Sequence, residues 1–77
     1  MKNRSRLDIA AEILNAASNG TLKTKIMYLA SLSFDQLNEY LKLLDDSGLL
    51  EYDTKKRQYK TTIKGHEFLA KYGKVKI

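Results

Sequence analysis

Leu32-Ser33-Phe34-Asp35-Gln36-Leu37 writes out the start of a helix almost residue by residue, and it constrains the fold more than any other stretch of the chain. Ser33 is a strong N-cap, because its hydroxyl can accept a hydrogen bond from an unpaired backbone N–H in the first turn. Gln36, three residues on, can reach back to the Ser33 N–H and complete a capping box. Leu32 and Leu37 are spaced for the hydrophobic staple that fixes the entry angle of the chain. Leu37, Leu41 and Leu44 then share one face, and Ser47-Gly48 supplies a stop.

Other elements follow from weaker signals of the same kind. Ser5-Arg6-Leu7-Asp8 opens a first helix whose stripe is Leu7, Ala10, Ala11, Leu14 and Ala17, with Ile9 and Ile13 beside it, ending at Asn19-Gly20. Thr21 is placed to cap a short second helix, Leu22 to Ala30, with Leu22, Ile26 and Leu29 or Ala30 on its buried side. Only Ser31 and Leu32 separate it from the Ser33 cap, and so short a connection makes two helices cross steeply. After Gly48, Leu49-Leu50-Glu51-Tyr52 and Gln58-Tyr59-Lys60-Thr61 read as two strands. The turn between them, Asp53 to Arg57, has neither Gly nor Pro, which predicts a mobile tip of several residues. Thr62 caps a last helix, Ile63 to Tyr72, with Gly73 as its stop.

The order α, α, α, β, β, α is mainly α (α+β) and is that of a winged helix-turn-helix: a three-helix core, a two-stranded β-wing and a C-terminal helix. Ile13, Leu14, Ile26, Leu37, Leu41, Leu44, Leu49 and Phe68 are the expected core, joined by Phe34, with Tyr40 at the margin. Seventy-seven residues allow one domain, 1–77, with a basic N-terminal arm over 1–5 and a tail over 73–77.

With no cysteine and only His66, a thiolate or histidine-rich zinc site is not available, and no metal or cofactor is expected. Glu67 projects about 100° away from His66 on a helix, so the two do not converge. No phosphate-binding Gly-rich loop, nucleophile elbow or Ser/His/Asp constellation is present, which argues against catalysis. No apolar run approaches the roughly 18 residues of a membrane span and no signal-peptide segment is evident, so a soluble cytoplasmic protein is expected.

A net charge of +5 on so short a chain points to a polyanionic partner. Lys2, Arg4 and Arg6 form the basic arm, Lys55, Lys56, Arg57 and Lys60 gather in the hairpin, and Lys64, Lys71, Lys74 and Lys76 follow. Lys23, Thr24 and Lys25 begin the second helix, where outward N–H groups and the positive end of the helix dipole suit a phosphate. On the third helix, Ser33, Asp35, Gln36, Asn38, Glu39 and Lys42 face outward; amides such as Gln36 and Asn38 can hydrogen-bond adenine edges in the major groove. Asp35 and Glu39 oppose phosphate unless a cytosine amino group or a lysine faces them. The Lys55-Lys56-Arg57 tip suits a minor groove or backbone; the plainer reading is a charged loop that discourages edge pairing.

These elements resemble small archaeal winged helix-turn-helix proteins. The likeness is carried by Leu7-Asp8-Ile9-Ala10 through Ile13-Leu14, Lys23-Thr24-Lys25-Ile26-Met27-Tyr28, Leu32-Ser33-Phe34-Asp35-Gln36-Leu37, Tyr40-Leu41, Ser47-Gly48-Leu49-Leu50, Tyr59-Lys60-Thr61-Thr62, Gly65 and Phe68-Leu69. The resemblance spans roughly Arg4 to Tyr72. Proteins of that kind bind DNA as transcriptional regulators or chromatin-associated proteins. The resemblance implies contact with double-stranded DNA through Thr24, Ser33, Gln36 and the wing, and a homodimer. Position 35 of the pattern is often basic or neutral, and Asp35 departs from it. Too few residues follow Tyr72 for a long C-terminal coil, so a dimer is expected through the first helix and the C-terminal helix, with Tyr72, Val75 and Ile77. The alternative is a winged-helix protein-interaction module without DNA, which the acidic third helix favours.

Overall fold

Helix α1 (Arg6–Ala16) begins with a full capping box: Ser5 Oγ accepts from the Asp8 N–H at 3.0 Å, and the Asp8 carboxylate accepts from the Ser5 N–H at 3.1 Å. The computed structural model describes the backbone of residues 4–76 and the side chains of residues 4–72. Lys2, Ile77 and the side chains of Lys74, Val75 and Lys76 therefore lie outside the described part. After α1 come α2 (Lys23–Ala30), α3 (Phe34–Asp46), β1 (Leu50–Asp53), β2 (Gln58–Thr61) and α4 (Ile63–Lys76). Four helices and one antiparallel hairpin match the expected order.

Both ends of α3 form as its sequence dictates. Ser33 Oγ accepts from Gln36 N–H at 3.2 Å, and Gln36 Oε1 accepts from Ser33 N–H at 3.0 Å. At the other end Gly48 adopts φ +77°, its N–H donates to Asp45 O, and Leu49 N–H donates to Leu44 O. That pair of bonds is a Schellman stop, which a β-carbon at Gly48 would strain.

The start of α2 differs from expectation. Leu22, not Thr21, is the N-cap, and no side chain caps it. Thr21 is instead drawn into the sheet. Its N–H donates to Tyr59 O at 2.9 Å and its carbonyl accepts from Tyr59 N–H at 2.8 Å, forming an isolated antiparallel bridge. Thr61 binds the same segment, donating from its N–H to Ala17 O and from its buried hydroxyl to Leu14 O. β2 is thus held on one edge by β1, with Tyr52 opposite Tyr59, and on the other by the chain leaving α1. A backbone committed to a ladder cannot also present its side chain as a cap.

Ile13, Leu14, Ile26, Leu37 and Leu50 are fully buried, with Ala17, Ala30, Leu41, Leu44 and Tyr40 around them. β1 starts one residue later than expected, with Leu50 buried and Leu49, just before the strand, half-buried. Phe68 also packs against the core only in part. Tyr40 lies within the core rather than at its margin. Leu7, Leu22, Leu29 and Phe34, all read as apolar-stripe residues or candidates for it, are half or more exposed.

α4 begins where expected, with Thr62 Oγ1 accepting from Gly65 N–H at 3.0 Å. It runs through Gly73 to Lys76. An internal glycine costs a helix only about 1 kcal/mol, and no proline follows to enforce a stop. Gly65 is indispensable for another reason. A β-carbon there would lie 2.3 Å from Leu49 O and 2.5 Å from Thr61 Cγ2, so only glycine lets α4 sit against the base of the hairpin.

Candidate nucleic-acid interface

The Thr21–Tyr59 bridge assembles the basic edge of the molecule. Because the pairing is antiparallel, stepping forward from Thr21 to Lys23 and back from Tyr59 to Arg57 leads in the same direction. The start of α2 and the tip of the hairpin therefore lie toward one end of the fold. Lys25, Lys55, Lys56 and Arg57 are exposed and make no ion pair among the described residues. The N–H groups of Lys23 and Thr24 likewise have no partner among the described residues, since no side chain caps this helix.

The hairpin tip is ordered by a device the sequence reading missed. Asp53 Oδ1 accepts from both Lys55 N–H (2.9 Å) and Lys56 N–H (3.1 Å), and Arg57 takes φ +55° to turn back into β2. An Asx turn replaces the absent glycine, and the signal for it was Asp53 itself.

The outward residues of α3 are less suited to an anion. Asp35 and Glu39 are exposed, Asn38 is half-buried, and Lys42 lines a shallow groove with Arg6, Glu39, Leu43 and Asp46. Ser33 and Gln36 are exposed, yet the capping box occupies the Gln36 oxygen. The two-pronged amide pairing with adenine needs that oxygen as well as the amide N–H.

Two residues have roles other than those expected. Arg4 is a structural clasp rather than a free cation of the arm. Its guanidinium pairs with Glu12 and donates to the carbonyls of Ala30 and, at 3.2 Å, Ser31. These carbonyls end α2, where Ser31 adopts φ +54°, so Arg4 supports the turn between α2 and α3. Phe34 stands 57% exposed at the first position of α3, with the Lys23 ammonium 4.4 Å from its ring centre. Arg6 lies similarly over the Tyr40 ring, at 5.4 Å.

A model of the winged helix-turn-helix family matches residues 3–77. The chain belongs to the winged helix-turn-helix family. A crystal structure of Sso10a-2, a DNA-binding protein from Sulfolobus solfataricus, superposes with a TM-score of 0.82 at 23% identity, covering 95% of this chain and 82% of that one. At this identity the likeness establishes a shared winged-helix fold. None of the curated proteins compared matches the sequence. In winged-helix terms α2 and α3 are the helix-turn-helix and β1–β2 the wing, with the Tyr52 and Tyr59 rings tilted against each other at 4.8 Å between ring centres. The acidity of Tyr59 is perturbed. Burial, then the neighbouring Tyr52 and Asp45, raise its phenol above the ordinary value. No helix of the described residues is long and apolar enough to cross a membrane.

Proposed function

We propose that this winged helix binds duplex DNA as a cytoplasmic, non-enzymatic transcriptional regulator. The observation that carries the reading is the shared edge of α2 and the wing, where unpaired Lys25, Lys55, Lys56 and Arg57 flank an uncapped helix start. Oriented amides and flexible cations are the groups that hold phosphates without reading sequence. In this arrangement α3 enters the major groove, Lys23, Thr24 and Lys25 hold one backbone, and the wing tip meets the adjacent backbone or minor groove. Ser33, Asp35, Gln36, Asn38 and Lys42 then lie nearest the bases. The DNA-binding description of Sso10a-2 is consistent with this use of the fold.

A single winged helix covers a short site, and a homodimer doubles it. The apolar groove between α1 and α4, lined by Leu7, Phe68, Lys71 and Tyr72, is the surface proposed for pairing. Leu7, exposed at 56%, becomes buried in such a dimer. Sedimentation at micromolar concentration checks it, and a monomer with and without DNA removes it.

Titration of random-sequence duplex DNA at several salt concentrations tests the main reading. Affinity falls with a slope of roughly −0.9 per phosphate contact if it holds. The acidic crest of α3, with Asp35, Glu39 and Asp46 exposed, favours the second reading, a protein-interaction module on the same scaffold. Absence of salt-dependent binding selects that reading.

A further inference from the structure

We propose that Phe34 makes this interface selective for thymine by packing against its 5-methyl group in the major groove; the inference rests on the DNA-binding reading above. Phe34, the first residue of α3, is left 57% exposed. One neighbour is already fixed: Lys23, itself half-buried, holds its ammonium 4.4 Å from the ring centre. That contact anchors the ring and sets a cation beside it.

The hydrogen-bonding groups at the same helix start are largely committed. Gln36 Oε1 accepts from Ser33 N–H, and Ser33 Oγ accepts from Gln36 N–H, so the amide oxygen already holds one hydrogen bond within the helix start. Asp35 accepts only, and of the major-groove edges it suits just the amino donors. The side chain at the first position of α3 is apolar. The thymine methyl is the single apolar feature that unmodified bases place in the major groove, and contact with phenylalanine is a known chemistry for it. The pair divides the work: the ring meets the methyl, and the ammonium meets a nearby phosphate.

The test uses two random-sequence duplex pools that differ only in carrying thymine or uracil. Burying one methyl is worth about 0.8 kcal/mol, so the wild-type chain binds the uracil pool about fourfold more weakly for each methyl contacted. Phe34→Ala binds both pools alike. Thermal unfolding verifies that Phe34→Ala is folded. The wild-type comparison does not depend on any variant. Equal wild-type affinity for the two pools, with ordinary salt dependence, overturns the thymine role and leaves DNA binding intact. A Phe34→Ala chain that still prefers thymine overturns it as well. No binding to either pool removes both readings.

Discussion

The first turns of α2 and α3 meet the same requirement in opposite ways. Every helix start leaves N–H groups without internal partners. α3 satisfies its third N–H through the Ser33–Gln36 capping box, keeps the Phe34 and Asp35 N–H groups without partners among the described residues, and adds the Asp35 carboxylate, whose charge suits the helix dipole. α2 has Leu22 at the cap position, two N–H groups without partners among the described residues, and Lys23 and Lys25 around them. A capped start beside a carboxylate stabilises the helix and repels an anion. An open one forgoes roughly 1 kcal/mol of capping and keeps its donors available. On this comparison we propose that α2 and the wing anchor DNA, and that α3 contributes shape and selectivity more than attraction.

The largest expected effect comes from the wing half of that edge. Replacing Lys55, Lys56 and Arg57 by Gln flattens the salt slope by ~3 per protomer if all three contact phosphate. At 0.1 M salt the loss in affinity is on the order of several hundredfold, similar for all sequences. Binding measured by fluorescence anisotropy over a salt series reads both numbers. If the slope does not change, the wing leaves the basic edge and the contrast rests on α2 alone.

Stability separates the two starts more directly. Ser33→Ala lowers unfolding free energy by about 1 kcal/mol, within the ~0.5–2 kcal/mol range for a lost cap. Thr21→Ala changes it by no more than about 0.5 kcal/mol, because Thr21 contributes its backbone to the Tyr59 bridge and caps nothing. Urea unfolding of both variants provides the check. Equal losses would mean that α2 is capped after all.

What the sequence made legible follows the range of the interactions. Ser33, Gln36, Gly48 and Thr62 act on backbone within a few residues of themselves, and each does what its spacing announces. Thr21 has a similarly good local signal, and a partner 38 positions away in the chain overrides it. Arg4 is the same case, since the Ala30 and Ser31 carbonyls it serves are remote in sequence. Phe34 fails differently. It lies on the i, i+3, i+7 line with Leu37 and Leu41, but in the first turn its ring extends past the core those leucines fill. The charges of the candidate interface were readable as residue types. Their gathering along one edge was not, because it depends on the bridge.

Asp35→Lys probes the closed start with two readouts of opposite sign. It exchanges repulsion for attraction, so non-specific affinity rises by up to about one order of magnitude at 0.1 M salt if this face meets DNA. It also places a cation at the positive end of α3, which lowers stability by about 0.3–1 kcal/mol. Higher affinity with lower stability supports α3 facing DNA. Lower stability with unchanged affinity, together with an indifferent wing variant, transfers the surface to the protein-interaction reading.

The smallest effect tests the joint between α2 and the wing. Tyr59 carries the backbone of the Thr21 bridge, and its phenol is raised above the usual 10.0 first by burial and then by Tyr52 and Asp45. The sign follows from linkage. In the unfolded chain this tyrosine ionises from about its ordinary value, while in the folded chain it still holds its proton. The stability it contributes is therefore complete below pH 10.0 and declines as pH rises from there through the folded value. Absorbance titration of the folded protein shows a phenol ionising above pH 10.0, and Tyr59→Phe abolishes that late step. Tyr52→Phe removes a charge effect but not the burial that ranks first, so most of the delay persists. If Tyr52→Phe instead erases the delay, burial is not its main cause, and Tyr59 is more open to water than its pairing with Thr21 implies.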